Sequence, residues 1–252
     1  MKYKTLFFSD IHLGSVGSQP EKFLNFIKDN EFEKIFIIGD FIDFWALKRK
    51  PSWPQSHNDV IQKLLRKHRK GTEIIYVTGN DDEFMEQFDG EAFGGIKIYK
   101  ESEHTLINNN KILIIHGHQL DTVTKYAPWL SHIGSFFYDK LIMLNYRFNK
   151  IRKYFGLNTH WSLSQFVKTK VKEAVNFIGN FEKGLSHLAK NKGYNMVMAG
   201  HIHCPTIKTI DDVVYINTGD WVETISCVIE DYDSKLYLLK EINGEMKTIS
   251  QY

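Results

Sequence analysis

Six short apolar runs constrain the fold of this chain most, because each is rich in β-forming residues and ends in a polar cluster. They read YKTLFFSD, EKIFIIGD, EIIYVTGN, KILIIHGH, MVMAGHIH and VVYINTGD. Such runs predict buried strands with polar side chains just beyond their carboxyl ends. Helical patterns lie between them, from Glu21 to Asn30 and from Asn58 to Lys70, and this alternation predicts an α/β architecture.

The C-terminal stretch CVIEDYDSKLYLLKEI predicts a β-hairpin that turns near Asp233 and Ser234, so part of the sheet should be antiparallel. With 252 residues, 42% of them hydrophobic, the chain can bury a substantial core in one large domain. No run approaches the roughly 18 to 20 apolar residues of a membrane span. The start MKYKTLFFSD does not read as a signal peptide, and two cysteines without metal-type spacing suit a reducing cytoplasm.

Residues 124–193 interrupt the alternation of strands and helices, and their aromatic and aliphatic residues have helical spacing. We interpret this range as an inserted helical cap, with 1–123 and 194–252 as the catalytic domain. The cap carries 12 basic and 3 acidic residues, a net charge of +9, against 20 basic and 27 acidic elsewhere, a net charge of −7. This favours an anionic ligand or an anionic membrane surface, although a solvated helical face explains the charge equally well.

Five separate segments supply the side chains that point to chemistry. They are Asp10-Ile11-His12, Gly39-Asp40-Phe41-Ile42-Asp43, Gly79-Asn80-Asp81-Asp82, His116-Gly117-His118 and Gly200-His201-Ile202-His203. Side chains at strand ends project into the crevice where open α/β folds bind ligands. On extended backbone, Asp10 and His12 would lie on one side and hold one ion together. The same holds for His201 and His203, unless a turn directs them to two neighbouring ions.

Ligands of the Asp, His and Asn types suit manganese, iron or zinc. Two ions about 3.5 to 4 Å apart need a bridging carboxylate, and Asp40 fits that role best. Such a pair lowers the pKa of a bridging water and stabilises charge on a phosphoryl oxygen. The sequence therefore predicts two divalent ions, of manganese, iron or zinc, and hydrolysis of a phosphoester or pyrophosphate. The glycines beside these ligands fit tight turns and close backbone approach.

The motifs DIH, GDFID, GND, HGH and GHIH resemble the signature of calcineurin-like metallophosphoesterases. The resemblance implies a four-layer αββα sandwich of two mixed sheets, here with the inserted helical cap. It also implies that one ion is held by Asp10, His12, Asp40 and His203. The other ion is then held by Asp40, Asn80, His116 and His201.

Further segments resemble UDP-2,3-diacylglucosamine pyrophosphatases of lipid A biosynthesis over nearly the whole chain, among them LNYRFNKIRKYFGLNTHWSLSQF and NTGDWVE. This implies cleavage of a UDP-linked diacylated sugar at the cytoplasmic face of the bacterial inner membrane. The cationic cap then fits a lid beside anionic headgroups, with Arg152, Lys153, Lys168 and Lys170 as substrate contacts. Trp45, Trp53, Trp161 and Trp221 are expected to pack structurally.

One position departs from the pattern, because Asp81 stands where the superfamily's histidine follows the asparagine. That histidine is thought to protonate the leaving group or stabilise the transition state, which an ionised carboxylate does poorly. Either Asp81 is an unusual acid, or His118 substitutes, or turnover is slow. We therefore take Asn80, Asp81 and His118 as catalytic candidates.

Three other functions compete with the lipid-directed pyrophosphatase. The same centre could act on a nucleotide or another phosphodiester, since site chemistry fixes the reaction better than the substrate. A metal-binding scaffold with little turnover is favoured by Asp81 but opposed by the seven apparent ligands. A nuclease is disfavoured, because the basic residues concentrate in the predicted cap and not along a cleft with stacking aromatics.

Overall fold

The computed structural model describes residues 1–120 and 163–252, with side chains from residue 172 onward in the second range. The chain divides into two compact units, residues 1–120 with 183–252 and residues 121–182. The cap boundaries at 124 and 193 stay a prediction. In the part of the chain that is described, none of the helices combines the length and the apolar character needed to cross a bilayer.

Thirteen strands and four α-helices make up the described residues. The strands, in chain order, are β1 (Lys2–Phe8), β2 (Glu31–Ile38), β3 (Glu73–Val77), β4 (Ala92–Phe93), β5 (Ile96–Tyr99), β6 (Glu101–Thr105), β7 (Lys111–Ile115), β8 (Met196–Ala199), β9 (Thr206–Ile210), β10 (Val213–Asn217), β11 (Ser226–Glu230), β12 (Leu236–Ile242) and β13 (Glu245–Gln251). The helices are α1 (Pro20–Asp29), α2 (Phe44–Arg49), α3 (Gln55–Arg69) and α4 (Leu163–Asn191). All six strands predicted from the apolar runs are present, as are both predicted helices and the C-terminal hairpin.

The strands form two mixed sheets. The larger has the order β13-β12-β11-β1-β2-β3-β5-β4, and the smaller has the order β6-β7-β8-β10-β9. Strands β1, β2, β3 and β5 are parallel neighbours, and so are β7, β8 and β10. Because the carboxyl ends of parallel strands share one edge, each sheet gathers several of the predicted polar clusters at such an edge.

An apolar core joins the two sheets face to face. Phe7, Phe36 and Val77 of the larger sheet belong to one buried cluster with Ile114 and Met198 of the smaller sheet. These residues alternate along their strands with residues of the opposite face, as the period of two in a strand requires. The sheets are therefore held together by side chains excluded from water, each contributing roughly 1.5 to 3 kcal/mol.

Helices α1 and α3 cover the outer face of the larger sheet. Phe23 of α1 packs on Phe8 of β1 with ring centroids 4.6 Å apart, and Val60 and Leu64 of α3 are buried in the same cluster. The residue directly after α4, Lys192, ties the end of the helix to the smaller sheet by pairing with Glu101 of β6. The predicted mixed α/β fold with two mixed sheets is thus confirmed.

Candidate metal centre

Sharp turns follow the strands that carry the predicted ligands. Strand β1 ends at Phe8, and both Asp10 and His12 then have positive φ values, 52° and 50°. The expectation that this pair lies on extended backbone is therefore wrong. The left-handed conformation, which is unusual for residues other than glycine, replaces strand geometry as the means of bringing the two side chains together.

The first cluster consists of Asp10, His12 and His203, whose potential ligand atoms all lie within 4.8 Å of one another. Nε2 of His203 is 3.1 Å from Oδ1 of Asp10. Nε2 of His12 is 3.4 Å from Nε2 of His203 and 3.7 Å from the same Asp10 oxygen. Two imidazole nitrogens and a buried carboxylate oxygen thus face a common point.

The second cluster consists of Asp40, His116 and His201, again with ligand atoms within 4.8 Å of one another. Nε2 of His116 is 3.4 Å from Oδ2 of Asp40. Nδ1 of His116 is 2.8 Å from the carbonyl oxygen of Ile38 and donates to it, which leaves Nε2 as the free ligand atom. His201 and His203, for which the sequence left two arrangements open, thus lie in different clusters.

Asp40 lies between the clusters. Its Oδ2 is 3.4 Å from Nε2 of His116 and 3.9 Å from Nε2 of His12, while its Oδ1 accepts from the backbone N–H of Asp81 at 2.8 Å. One oxygen is thereby fixed by the backbone and the other faces both histidines. This is the placement required of a bridging carboxylate.

Two orphaned atoms indicate that the residues fit bound cations. Among the described residues, Nε2 of His116 and Oδ1 of Asn80 are buried without a hydrogen-bond partner. An unpaired buried polar atom is costly, and both atoms carry lone pairs that bind divalent metals. The donors around the two clusters are carboxylate, amide and imidazole, which suits manganese, iron or zinc.

The buried charges control the protonation of the metal-free centre. Burial lowers the pKa of His116, but Asp40 and Asp10 outweigh that effect and raise the pKa to about 10. Burial raises the pKa of Asp10, but His203 and His116 hold it well below its ordinary value. A cation that binds to this centre must therefore displace protons from histidines.

Asp81 and His118 lie beside the clusters in different surroundings. Oδ2 of Asp81 is 3.1 Å from Nδ1 of His12. The ring centroid of His118 is 5.6 Å from that of His116, and its Nε2 is 3.5 Å from Oε1 of Glu86. His118 is thus outside both ligand clusters, and the catalytic roles of Asn80, Asp81 and His118 stay predictions.

A third group joins His12, Asp43 and Asp81. Asp43 caps α2, since its Oδ1 accepts from the N–H of Ala46 at 2.6 Å, and its Oδ2 is 3.9 Å from Nδ1 of His12. The helix cap thereby also places a carboxylate beside a ligand candidate.

Asp82, which the sequence pattern grouped with Asn80 and Asp81 without giving it a role, is fully buried. It accepts hydrogen bonds from the N–H groups of Phe41, at 2.7 Å, and Gly79, at 2.5 Å, and from the hydroxyl of Tyr76. It therefore joins the turn after β2 to the turn after β3. Burial raises the pKa of Asp82 to about 6. Its place in the run Asn80-Asp81-Asp82 was the available signal, but no spacing distinguished it from a turn residue.

The substrate contacts predicted in the cap are not placed by the structure. Arg152 and Lys153 lie outside the described residues, and so do the side chains of Lys168 and Lys170. Their role stays a prediction. Trp161 likewise lies outside the described residues.

The tryptophans of the described residues divide into two kinds. Trp221 is fully buried, whereas Trp45 and Trp53 are 57% and 39% exposed. The expectation of structural packing thus fits Trp221, and Trp53 packs edge to face on His57 with ring centroids 5.4 Å apart, whereas Trp45 is largely exposed. Trp45 lies on α2, and its Nε1 donates to the carbonyl oxygen of Asn80 at 3.4 Å, so its ring stands at the rim of the centre.

Comparison with known proteins agrees with this geometry. A family model described as calcineurin-like phosphoesterase matches residues 3–205. The UDP-2,3-diacylglucosamine hydrolase of Proteus mirabilis is 25% identical over 219 residues, 82% of this chain and 85% of that protein. The enzyme of the same name from Aliivibrio fischeri is 23% identical over 252 residues, which cover 93% of this chain and 96% of that protein. Vacuolar Protein Sorting 29 from Cryptosporidium parvum has a TM-score of 0.50 at 11% identity, covering 98% of this chain and 96% of that one, and supports the fold alone.

Proposed function

Because the chain belongs to the calcineurin-like phosphoesterase family, we propose that it is a dinuclear metal-dependent hydrolase of the pyrophosphate in UDP-2,3-diacylglucosamine or a related lipid-linked substrate. The observation that carries the reaction type is the pair of buried clusters on either side of Asp40. The names of these relatives, UDP-2,3-diacylglucosamine hydrolases, support the substrate class.

In this proposal Asp10, His12, Asp40 and His203 hold one ion. Asn80, His116 and His201 hold the second together with Asp40. Two manganese ions in this position supply water activation and neutralisation of phosphoryl charge. The chain's own contribution is to fix the ligand atoms in advance, through the Ile38 carbonyl at His116 and the Asp81 backbone N–H at Asp40.

An apolar rim beside the centre supports a substrate with apolar groups. Trp45 is 57% exposed and Phe84 is 66% exposed. Phe84 packs on Phe44, which precedes Trp45 on α2, with ring centroids 6.3 Å apart. Exposed aromatic surface next to an ion site suits a molecule that joins a phosphate to a base, a sugar or an acyl chain.

We place the protein at the cytoplasmic face of the inner membrane, because a diacylated substrate resides in the bilayer and the range 124–193 carries a net charge of +9. Replacing Arg152, Lys153, Lys168 and Lys170 together by glutamine should weaken flotation with vesicles that contain anionic lipid. Unchanged flotation would show that these basic residues of the cap do not bind the anionic membrane surface.

The decisive experiment combines metal analysis with hydrolysis assays. Wild-type protein should bind two divalent ions and release UMP from UDP-2,3-diacylglucosamine faster than it cleaves soluble phosphodiesters. Asp40→Ala and the isosteric Asp40→Asn should lose both ions and the activity. Asp59→Ala, which removes a carboxylate on α3 that accepts from Gln55, is the matched control and should behave as wild type.

The other outcomes separate the competing functions. Faster cleavage of a nucleotide or another soluble ester would keep the metal centre and replace the substrate. Bound metal without hydrolysis of any ester would favour a scaffold. Wild-type protein without metal or hydrolysis would refute the proposal altogether.

A further inference from the structure

The carboxylate of Asp81 contacts two ligand candidates at once. Its Oδ2 is 3.1 Å from Nδ1 of His12, and its Oδ1 accepts from Nδ2 of Asn80 at 2.8 Å. The backbone N–H of the same residue donates to Oδ1 of Asp40 at 2.8 Å. A single residue is thereby connected to three of the side chains assigned to the metal centre.

The contact with His12 selects which ring nitrogen faces the first cluster. An imidazole whose Nδ1 donates to a carboxylate keeps its lone pair on Nε2. In His12 this Nε2 is the atom that lies 3.7 Å from Oδ1 of Asp10 and 3.4 Å from Nε2 of His203. The Asp81 carboxylate thus presents the ligand nitrogen of His12 to the ion site.

The contact with Asn80 selects which end of the amide is free. A carboxamide has one end that donates and one that accepts, and only its oxygen has lone pairs suited to a cation. Since Nδ2 of Asn80 donates to Asp81, Oδ1 is directed elsewhere, and it is buried without a partner among the described residues. With this hydrogen bond removed, the amide loses the contact that distinguishes its two orientations.

We propose that Asp81 is a positioning residue that orients His12 and Asn80 for metal binding, and that it does not act as the acid for the leaving group. Each of its oxygens already faces a donor of the protein, His12 for Oδ2 and Asn80 for Oδ1. The inference rests on the metal centre proposed above. It also differs from direct coordination, in which Asp81, Asp43 and His12 would hold a third ion.

The test is metal binding by chelator-stripped protein, measured by calorimetry with Mn²⁺, together with the unfolding midpoint of the metal-free variants. Asp81→Ala should weaken binding of at least one ion about 10- to 100-fold, the usual effect of removing a carboxylate that orients a ligand. Asp81→Asn keeps an acceptor for His12 and should lose less. Glu83→Ala and Glu83→Gln remove a nearby exposed carboxylate and should match wild type.

A second measurement separates positioning from acid catalysis. The measurement is kcat for a soluble ester as a function of pH, at saturating metal. The Asp81→Asn variant should show the same alkaline limb of this profile as wild type. Loss of that limb with unchanged metal affinity would overturn the inference and make Asp81 the acid. Three ions in wild type and two in Asp81→Ala would overturn it in favour of coordination. Wild-type affinity in Asp81→Ala alone would overturn the inference but not the metal centre, whereas wild type without metal would overturn both.

Discussion

At the scale of single residues, the centre is a set of buried charges that only partly cancel without a cation. The carboxylates of Asp10 and Asp40 are almost inaccessible to water, and the ring of His116 is fully buried. Such charges survive burial only when they are paired with opposite charges or metals. In the metal-free protein, protonated histidines provide the pairing that bound cations would otherwise provide.

This pairing predicts how the stability of the metal-free protein depends on pH. The pKa of His116 is about 10 in the folded protein and about 6.5 in an unfolded chain. Its stabilising contribution is therefore complete below about pH 6.5 and is lost as the pH rises toward 10. In excess chelator, the free energy of urea unfolding should fall over this range, and much less so in saturating Mn²⁺.

Matched variants show whether His116 is the group responsible. His116→Gln should flatten the pH dependence in chelator, whereas His187→Gln, an exposed histidine on α4, should leave it as in wild type. An equal slope in wild type and His116→Gln would contradict the assignment.

The sequence named candidate ligands that the structure brings together in two clusters, but it did not reveal their backbone conformations. Five of them have φ between 50° and 69°: Asp10, His12, Asp40, His201 and His203. Glycine is the residue type that signals such a conformation most strongly, and although Asp and His adopt it more often than most other residues, this preference is too weak to mark these positions in a sequence. For other residues the left-handed conformation costs roughly 1 to 3 kcal/mol. Backbone hydrogen bonds stabilise it here, such as the one from His12 N–H to the Asp40 carbonyl at 2.9 Å.

At the scale of elements, the turns after the strands depend on glycines that allow close contact. A Cβ placed at Gly79 would collide with the carboxylate and the backbone nitrogen of Asp40. The glycine therefore brings the turn after β3 against the residue that follows β2. Asn80 can approach Asp40 only because position 79 has no side chain.

Gly79→Ala should accordingly destabilise the protein by roughly 1 to 3 kcal/mol, as overpacking of a tight site does, and should weaken Mn²⁺ binding. Gly79 does not have positive φ, so the loss would report the collision and not backbone strain. Gly179→Ala on α4 is the control, since nothing lies within 4 Å of its added Cβ and alanine favours helix. Urea unfolding and calorimetry measure both effects, and a Gly79→Ala protein as stable as wild type would refute the close approach.

Four of the five strands that the sequence analysis did not predict have a common cause, and the fifth is the short β5. The edges of the two sheets are β4 and β13 in the larger and β6 and β9 in the smaller, and none of the four was predicted. Edge strands are partly solvated and carry polar residues, as in the sequences ESEHT and EMKTISQ. They therefore lack the continuous apolar run by which the central strands were found.

At the scale of the whole molecule, the centre exists only where the two sheets meet. Asp10, His12 and Asp40 follow strands of the larger sheet, whereas His116 and His201 follow strands of the smaller one. The order of the motifs along the chain predicted that they share one site. It did not predict which of the two sheets carries each candidate ligand. That assignment depends on strand pairing between distant segments, which the local patterns do not encode.

Because the unfolded chain cannot gather ligands from residues 10 to 203 of two sheets, Mn²⁺ should bind the folded state alone and stabilise it. At a free concentration of 100 times Kd, each site should add about 2.7 kcal/mol to the free energy of unfolding, and Asp40→Asn should abolish the increment. Leu238→Ala removes a fully buried side chain of the core between the sheets and should cost about 2 to 5 kcal/mol. It should nevertheless keep the increment, since Leu238 contributes no ligand. A metal increment that persisted in Asp40→Asn, or that disappeared in Leu238→Ala while that protein remained folded, would show that the stabilising ions bind elsewhere.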